Sequence, residues 1–203
     1  MGSDRQRAVR GTASADALDT LLADLRREFP RFRIVPKAHN RLSRAIDLVL
    51  RIVTLGRQSR YLTHYHTVLG DTLYVPDGWA EAAPIDRVIT LRHERVHLRQ
   101  RRRYGMVGMA LLYLVPFLPL GLAYGRARLE WEAYRETIRA TAELRGRDAA
   151  HSPELRARIV EQFTGAAYGW MWPFARTIAR WLDEALTELD RPVKEPGQPA
   201  RRA

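Results

Sequence analysis

The chain of 203 residues contains no cysteine, so it can form neither a disulfide bond nor a thiolate metal site. Any metal ion would have to be held by histidine, aspartate or glutamate side chains. Lysine is also scarce, because Lys37 and Lys194 are the only lysines among 34 basic residues. Residues 1–16 lack an apolar segment, which argues against a secretory signal. We expect a cytoplasmic protein and leave membrane association open.

Acidic residues are outnumbered by basic ones, 23 to 34, which gives a formal net charge of +11. Such an excess permits contact with anionic lipid or with nucleic acid. It does not require either partner, because surface arginines can simply be solvated. The charge therefore leaves a solvated surface as the simpler interpretation and a binding surface as the alternative.

Hydrophobic spacing and turn residues predict an α+β fold that is predominantly helical. We expect a single domain over residues 14–189, between disordered tails at residues 1–13 and 190–203. The predicted helices cover residues 15–29, 40–55, 86–104, 126–145, 152–163 and 173–189.

Strand patterns are confined to the first half of the chain. A short strand is expected at residues 32–35, before Pro36. Residues 61–68 and 72–75, rich in β-branched and aromatic side chains, predict a small antiparallel β-hairpin. His64 and His66 share one face of this hairpin. They are either metal ligands or ordinary polar strand positions, and the pattern does not decide between these.

Residues His93 to His97 match the pattern H-E-x-x-H. On a helix the two histidines lie one turn apart, so both imidazoles can reach one metal ion. Glu94 lies about 100° round the helix from His93, close enough to contact a metal-bound water without being a ligand. This geometry suits hydrolytic zinc chemistry, which needs two neutral imidazoles, an open position and a carboxylate base. The pattern also arises by chance, so it needs a third ligand.

Helical periodicity indicates where that third ligand lies. The predicted helix over residues 126–145 has Glu130 on a face of small, mostly uncharged residues, whereas Glu132 points towards the charged ones. A carboxylate on such a face is costly to bury unless it is paired or binds a metal. Glu130 is therefore the candidate, with an ion pair to Arg126 as the alternative. The motif helix likewise keeps its arginines away from the face of His93: Arg92, Arg95, Arg99 and Arg102.

Residues 104–125 carry no charge, a length that would normally suggest a transmembrane helix. Two prolines interrupt the run, and a single span would put His97 and Glu130 on opposite sides of a membrane. We predict a helical hairpin that turns at residues 115–119. Each arm is at most about 15 Å long, too short for a hydrocarbon core of about 30 Å. We expect the hairpin to be core, with a surface element that dips into lipid as the alternative.

Two segments, His93-Glu94-Arg95-Val96-His97 and Glu130-Trp131-Glu132-Ala133-Tyr134, resemble the gluzincin zinc metallopeptidases in a minimal form. The resemblance covers residues 60–145, including the hairpin, which in that family lines the substrate. It implies a zincin-like domain with one zinc ion on His93, His97 and Glu130, and Glu94 as general base. Tyr134 stands where the family has an aspartate. Its hydroxyl can hydrogen-bond a ligating histidine but does not raise that ligand's basicity as a carboxylate does.

The activity that the resemblance implies is hydrolysis of a peptide or protein substrate by a zinc-activated water, with Glu94 accepting its proton. Tyr168 and His151 are candidates for stabilising the oxyanion, and the pattern does not choose between them. One alternative is a non-catalytic zinc-bound scaffold that binds anionic membrane or, less readily, nucleic acid, with peripheral membrane contact through residues 104–125. The other is a helical protein with an accidental motif.

Overall fold

The structure, a computed structural model, describes residues 2–37, 66–114, 123–165, 171–172 and 174–191. Helices occupy most of these ranges, as the sequence predicts. The helices are α1 (Gly2–Glu28), α2 (Pro84–Leu114), α3 (Tyr124–Arg145), α4 (Arg147–Ala150), α5 (Pro153–Thr164) and α6 (Ala175–Asp190). The strands are β1 (Arg33–Pro36), β2 (Thr67–Leu69) and β3 (Thr72–Val75).

Helix α1 begins at Gly2, within the segment for which the sequence predicts a disordered tail. Its C-terminal half is held by burial of Leu18, Leu21 and Leu25 against the rest of the fold. Once those turns have formed, extending the helix costs much less than nucleating it. The helix is therefore longer at its N-terminal end than the predicted range of 15–29, and it ends close to the predicted stop.

The three strands form one sheet in the order β1-β3-β2. Strands β2 and β3 pair antiparallel, with Val68 opposite Leu73, which confirms the predicted hairpin over the described residues. Residues 61–65 of its predicted first strand lie outside them. The turn contains Gly70 at a φ of 63°, a left-handed conformation that glycine adopts at little cost. Strand β1, however, pairs with β3 in parallel. The expectation of a small antiparallel sheet is therefore wrong, because a local turn pattern does not show which distant strand joins the other edge.

Helix α2 packs against α1 and against α3. Its Leu91 and Leu98 are fully buried in one apolar cluster with α1 and the sheet. A second cluster joins α3 to α5 and α6 and contains Ile138, Ile159 and Ile178. Because Leu91 and Leu98 occupy the side of α2 that faces α1 and the sheet, the side that carries the motif histidines faces α3.

Helix α2 has a kink at Gly105 (φ 68°, ψ 177°), where the sequence predicts the motif helix to end. Beyond the kink it continues to Leu114. A Cβ on Gly125 of α3 would lie 3.0 Å from the carbonyl oxygen of Leu112, so the two arms are in close contact. This contact agrees with the predicted helical hairpin, whose turn at 115–119 lies outside the described residues. In the part of the chain described, no helix is long and apolar enough to cross a membrane.

The remaining helices agree with the predicted ranges to within two residues, apart from the short α4, which the pattern does not predict. Ser152 caps α5, because its hydroxyl oxygen accepts a hydrogen bond from the backbone nitrogen of Leu155 at 3.2 Å. The helix predicted at 40–55 and most of the predicted C-terminal tail lie outside the described residues.

Candidate metal centre

The structure brings His93 and His97 of α2 together with Glu130 of α3. One ligand-type atom from each residue lies within 4.8 Å of the others. The two imidazole Nε2 atoms are 3.2 Å apart, and Glu130 Oε2 lies 3.9 Å from that of His93 and 3.5 Å from that of His97. Tetrahedral zinc with bonds of about 2.0–2.2 Å has ligand atoms roughly 3.3 Å apart, so small shifts would close the site. These are the three predicted ligands.

The orientation of the His97 ring is set by Gln100, one turn further along α2. The Gln100 amide nitrogen donates to the carbonyl oxygen of Leu129 and to Glu132, each at 2.9 Å. The amide oxygen therefore faces His97 Nδ1 at 3.0 Å. Because that oxygen can only accept, Nδ1 carries the hydrogen and Nε2 is the atom directed at Glu130. This is the tautomer that a metal ligand needs.

Thr137 of α3 holds the His93 ring in the same way. Its hydroxyl donates to the carbonyl oxygen of Ala133 at 3.2 Å, so it accepts from His93 Nδ1 at 3.0 Å. The free Nε2 again faces the site. Tyr134, the residue that the resemblance suggests for this role, contacts His93 ring to ring, with centroids 4.9 Å apart and planes at 73°.

Electrostatics in the cluster favour bound positive charge. Burial lowers the pKa of His97, but Glu130, Glu94 and the hydrogen bond with Gln100 together outweigh it, and the pKa rises to about 9. Burial lowers the pKa of His93 to about 3, and the neighbouring His97 acts in the same direction. Without a metal, one proton therefore stays between His97 and Glu130. A metal cation bound here would replace that proton, as metal binding to histidine generally does.

Glu94 is buried beside this cluster, with 7% of its surface exposed. Burial raises its pKa to about 7, with opposing effects from His97 and Glu130. A carboxyl group with a pKa near the working pH is suited to act as a general base. Lys37, fully buried after β1, also acts on Glu94 and lowers its pKa. Glu94 is therefore buried, with a raised pKa, beside the three potential ligands.

Three residues near the site were not given a role by sequence reasoning: Gln100, Thr137 and Lys37. The first two carried a signal, because helical periodicity places Gln100 on the face of His93 and Thr137 on the face of Glu130. The position of Lys37 depends on how β1 meets α2, and local sequence does not encode that. Its rarity in an arginine-rich chain was the one available hint.

His66 lies next to the cluster but does not belong to the group of potential ligands found among the described residues. Its ring contacts Trp79 edge to face, with centroids 5.0 Å apart. Burial lowers its pKa to about 4. His66, Trp79, Arg87 and Thr90 line part of a cavity of about 180 Å³. Because Thr90 precedes His93 by three residues, this cavity opens about one helical turn from the candidate metal centre.

Of the other predicted candidates that the structure describes, His151 does not join the site. His151 is at the surface, where its Nε2 lies 3.1 Å from Asp190. His64 and Tyr168 lie outside the described residues. Of the two carboxylates compared in the sequence, Glu132 is exposed and bonds Gln100, whereas Glu130 faces the histidines.

Three of the four arginines on the far sides of α2 have carboxylate partners. Arg95 and Arg99 both bind Glu28 at the end of α1. Arg92 binds two glutamates of α3. These side chains connect α2 to its neighbours on both sides of the motif, so they position the histidine face.

No protein-family model matches the chain, and neither a curated protein nor a solved structure shows significant similarity to it.

Proposed function

We propose that this protein is a zinc-dependent metallopeptidase. The observation that supports the proposal is the convergence of His93, His97 and Glu130 from two helices, with the ligand-type atoms within 4.8 Å of one another. The two imidazoles have the tautomer that metal binding needs, and Glu94 is buried beside them. Two nitrogens, one carboxylate and an open fourth position make up a common ligand set of catalytic zinc.

The roles of the residues follow from their positions. His93, His97 and Glu130 would hold the ion, which would supply a bound water with a pKa of about 7. Glu94 would accept the proton of that water and return it to the leaving amine. Without a metal, burial raises the pKa of Glu94 to about 7.

The cavity lined by His66, Trp79 and Thr90 gives such a reaction a place for part of the substrate. Its volume of about 180 Å³ is below the roughly 300–1,000 Å³ of complete ligand pockets. We therefore interpret it as room for one side chain of a substrate that otherwise lies across the surface.

The test is the Glu94→Gln variant. Removing a general base should lower hydrolysis by about 10²- to 10⁴-fold while zinc content is unchanged, because Glu94 is not a ligand. Cleavage of a mixed peptide pool by the zinc-loaded protein, followed by mass spectrometry, measures the first quantity, and metal analysis measures the second. Glu154→Gln, which removes an exposed carboxylate on α5 away from the cluster, is the control and should cleave as the parent does.

Two outcomes would contradict the proposal. Full activity in Glu94→Gln would show that the base is assigned wrongly. A zinc-loaded parent protein that cleaves no peptide would instead favour the non-catalytic scaffold.

A further inference from the structure

We propose that the part of α2 beyond the kink at Gly105, here called the distal arm, docks this protein on an anionic lipid surface. The apolar patch consists of Met106, Val107 and Leu111, which are 72%, 74% and 57% exposed. Leu111 follows Val107 by four residues and Met106 is adjacent, so the three side chains lie on one side of the helix. The sequence-based expectation that this hairpin is core does not hold for that side.

The apolar patch points away from the neighbouring arm. Leu112 is the position that meets α3, since its carbonyl oxygen would lie 3.0 Å from a Cβ on Gly125. Leu112 is about 100–140° round the helix from each residue of the patch. The arm therefore uses one side for packing within the protein and presents aliphatic side chains on another.

The chain segment around the patch is basic, although Arg95 and Arg99 pair with Glu28 and Arg101 pairs with Asp71. Residues 95–129 contain seven arginines and no acidic residue. Arg103 is exposed, with its guanidinium 5.3 Å from the ring centre of Tyr104. Arg102 donates to the backbone oxygen of Glu28 at 3.2 Å and lies over Phe29. Within the described residues neither guanidinium pairs with a carboxylate. Exposed arginines that directly precede exposed aliphatic residues are typical of elements that lie in the interface of an anionic membrane.

An aromatic cluster lies beside this arm, at the start of α3. Tyr124 is 43% exposed and its ring centre lies 5.2 Å from that of Trp172. Trp172 in turn contacts Phe174, which is 51% exposed, at 5.4 Å. Gly125 contacts Leu112 of the distal arm, and Tyr124 directly precedes Gly125. The aromatic cluster therefore lies next to the arm. Tyrosine and tryptophan are enriched where a membrane meets water.

These features favour lipid over other occupants. Nucleic acid offers phosphates for the arginines but no extended apolar surface that would bury Met106, Val107 and Leu111. A second copy of the chain, placed patch to patch, would bring two sets of the same arginines together, and like charges across an interface are unfavourable. Anionic lipid meets both requirements, because its headgroups pair with arginine and its acyl region accepts aliphatic side chains.

Docking would hold the candidate metal centre close to the lipid. His97 precedes Tyr104 by seven residues, about 10 Å of helix. If the proposed peptidase activity is correct, the accessible substrates are segments of proteins close to a membrane surface. The docking itself does not depend on that activity.

Co-sedimentation of the intact protein with phosphatidylglycerol vesicles and with phosphatidylcholine vesicles tests the proposal. We expect binding to the anionic vesicles that weakens as salt is added, and much weaker binding to the zwitterionic ones. Replacing Met106, Val107 and Leu111 together by serine should weaken binding at least about tenfold, since each buried methylene contributes about 0.8 kcal/mol. These side chains are exposed, so the thermal melt should not change.

A charge variant with a matched control separates lipid binding from general basicity. Arg103→Gln should weaken binding about fivefold, because an arginine near an anionic surface contributes about 1 kcal/mol. Arg158→Gln removes an exposed arginine from α5 and should bind as the parent does.

Three results would overturn the proposal: no binding of the parent to either vesicle, equal binding by the triple-serine variant and the parent, or equal loss in Arg103→Gln and Arg158→Gln. Self-association without lipid that the triple-serine variant loses would assign the patch to a second copy of the chain instead. Vesicle binding is measured without a peptide substrate, so failure here and failure of the peptidase proposal are distinguishable.

Discussion

Thr137 and Thr141 are both buried on α3, one turn apart, but only Thr137 contacts a candidate metal ligand. Thr141 donates to the backbone oxygen of Thr137 at 2.8 Å and makes no hydrogen bond to His93. The pair therefore provides a comparison in which helix, burial and chemical change are matched and only the contact with His93 differs.

We predict that Thr137→Val lowers zinc affinity by about 10- to 100-fold, the usual effect of removing a group that orients a ligating histidine. The valine fills the same space but cannot accept the Nδ1 hydrogen, so the ring loses its preferred tautomer and orientation. Competition with a chromophoric chelator measures the affinity. Thr141→Val should bind zinc as the parent does, and an equal loss in both variants would show that the effect is packing.

Among the contacts between secondary-structure elements, one carboxylate of α1 is shared by two arginines of α2 and connects the two helices. Glu28 accepts from Arg95 at 2.7 Å and from Arg99 at 2.6 Å. The hydrogen bond from Arg99 has the largest effect on its pKa, which is lowered from 4.5 despite partial burial. This connection fixes one side of the motif helix, while Arg92 fixes the other through Glu136 at 2.6 Å.

We predict that Glu28→Gln lowers the free energy of unfolding by about 1 kcal/mol near neutral pH. Because the folded pKa lies below the unfolded value of 4.5, this contribution is present above that value and is lost as the pH falls through the folded pKa. The difference between variant and parent should therefore shrink in acid. Urea unfolding near neutral pH and in acid measures this difference in unfolding free energy. Glu81→Gln, at an exposed loop position, is the control. A difference that stays constant with pH would contradict the assignment.

For the whole molecule, the candidate metal centre joins two apolar clusters. His93 and His97 stand on α2, which packs into the cluster with α1 and the sheet, whereas Glu130 stands on α3 in the other cluster. An ion held by all three would connect the two halves. Its binding free energy would then contribute to the stability of the whole fold.

We predict that zinc raises the melting temperature of the metal-free protein, with a stabilisation of about 4 kcal/mol at a free concentration one thousand times the dissociation constant. Glu130→Gln should lose most of this increase, because it removes the ligand that reaches across from α3. Calorimetry with zinc and with a chelator measures this increase in melting temperature. Glu154→Gln, at an exposed position of α5, should keep the increase, and equal losses in both variants would show that Glu130 is not the ligand.

Much of this architecture was predictable because it is local in the chain. The face of each helix depends on helical periodicity, which places His93 beside His97 and separates Glu130 from Glu132. The pairing of β2 with β3 depends on a short turn, and the end of the motif segment depends on Gly105. Each of these is decided by residues within a few positions of one another, so the sequence alone determines them.

Contacts between distant segments were decided by the tertiary structure. The parallel pairing of β1, the burial of Lys37 near Glu94, and the bond between Thr137 and His93 join residues far apart in the chain. The exposure of Met106, Val107 and Leu111 was also decided by the tertiary structure. The sequence pattern of an apolar helix face is the same whether that face is buried in the core or lies at the surface. Which surface covers it depends on where the other helices lie, and only the folded arrangement contains that information.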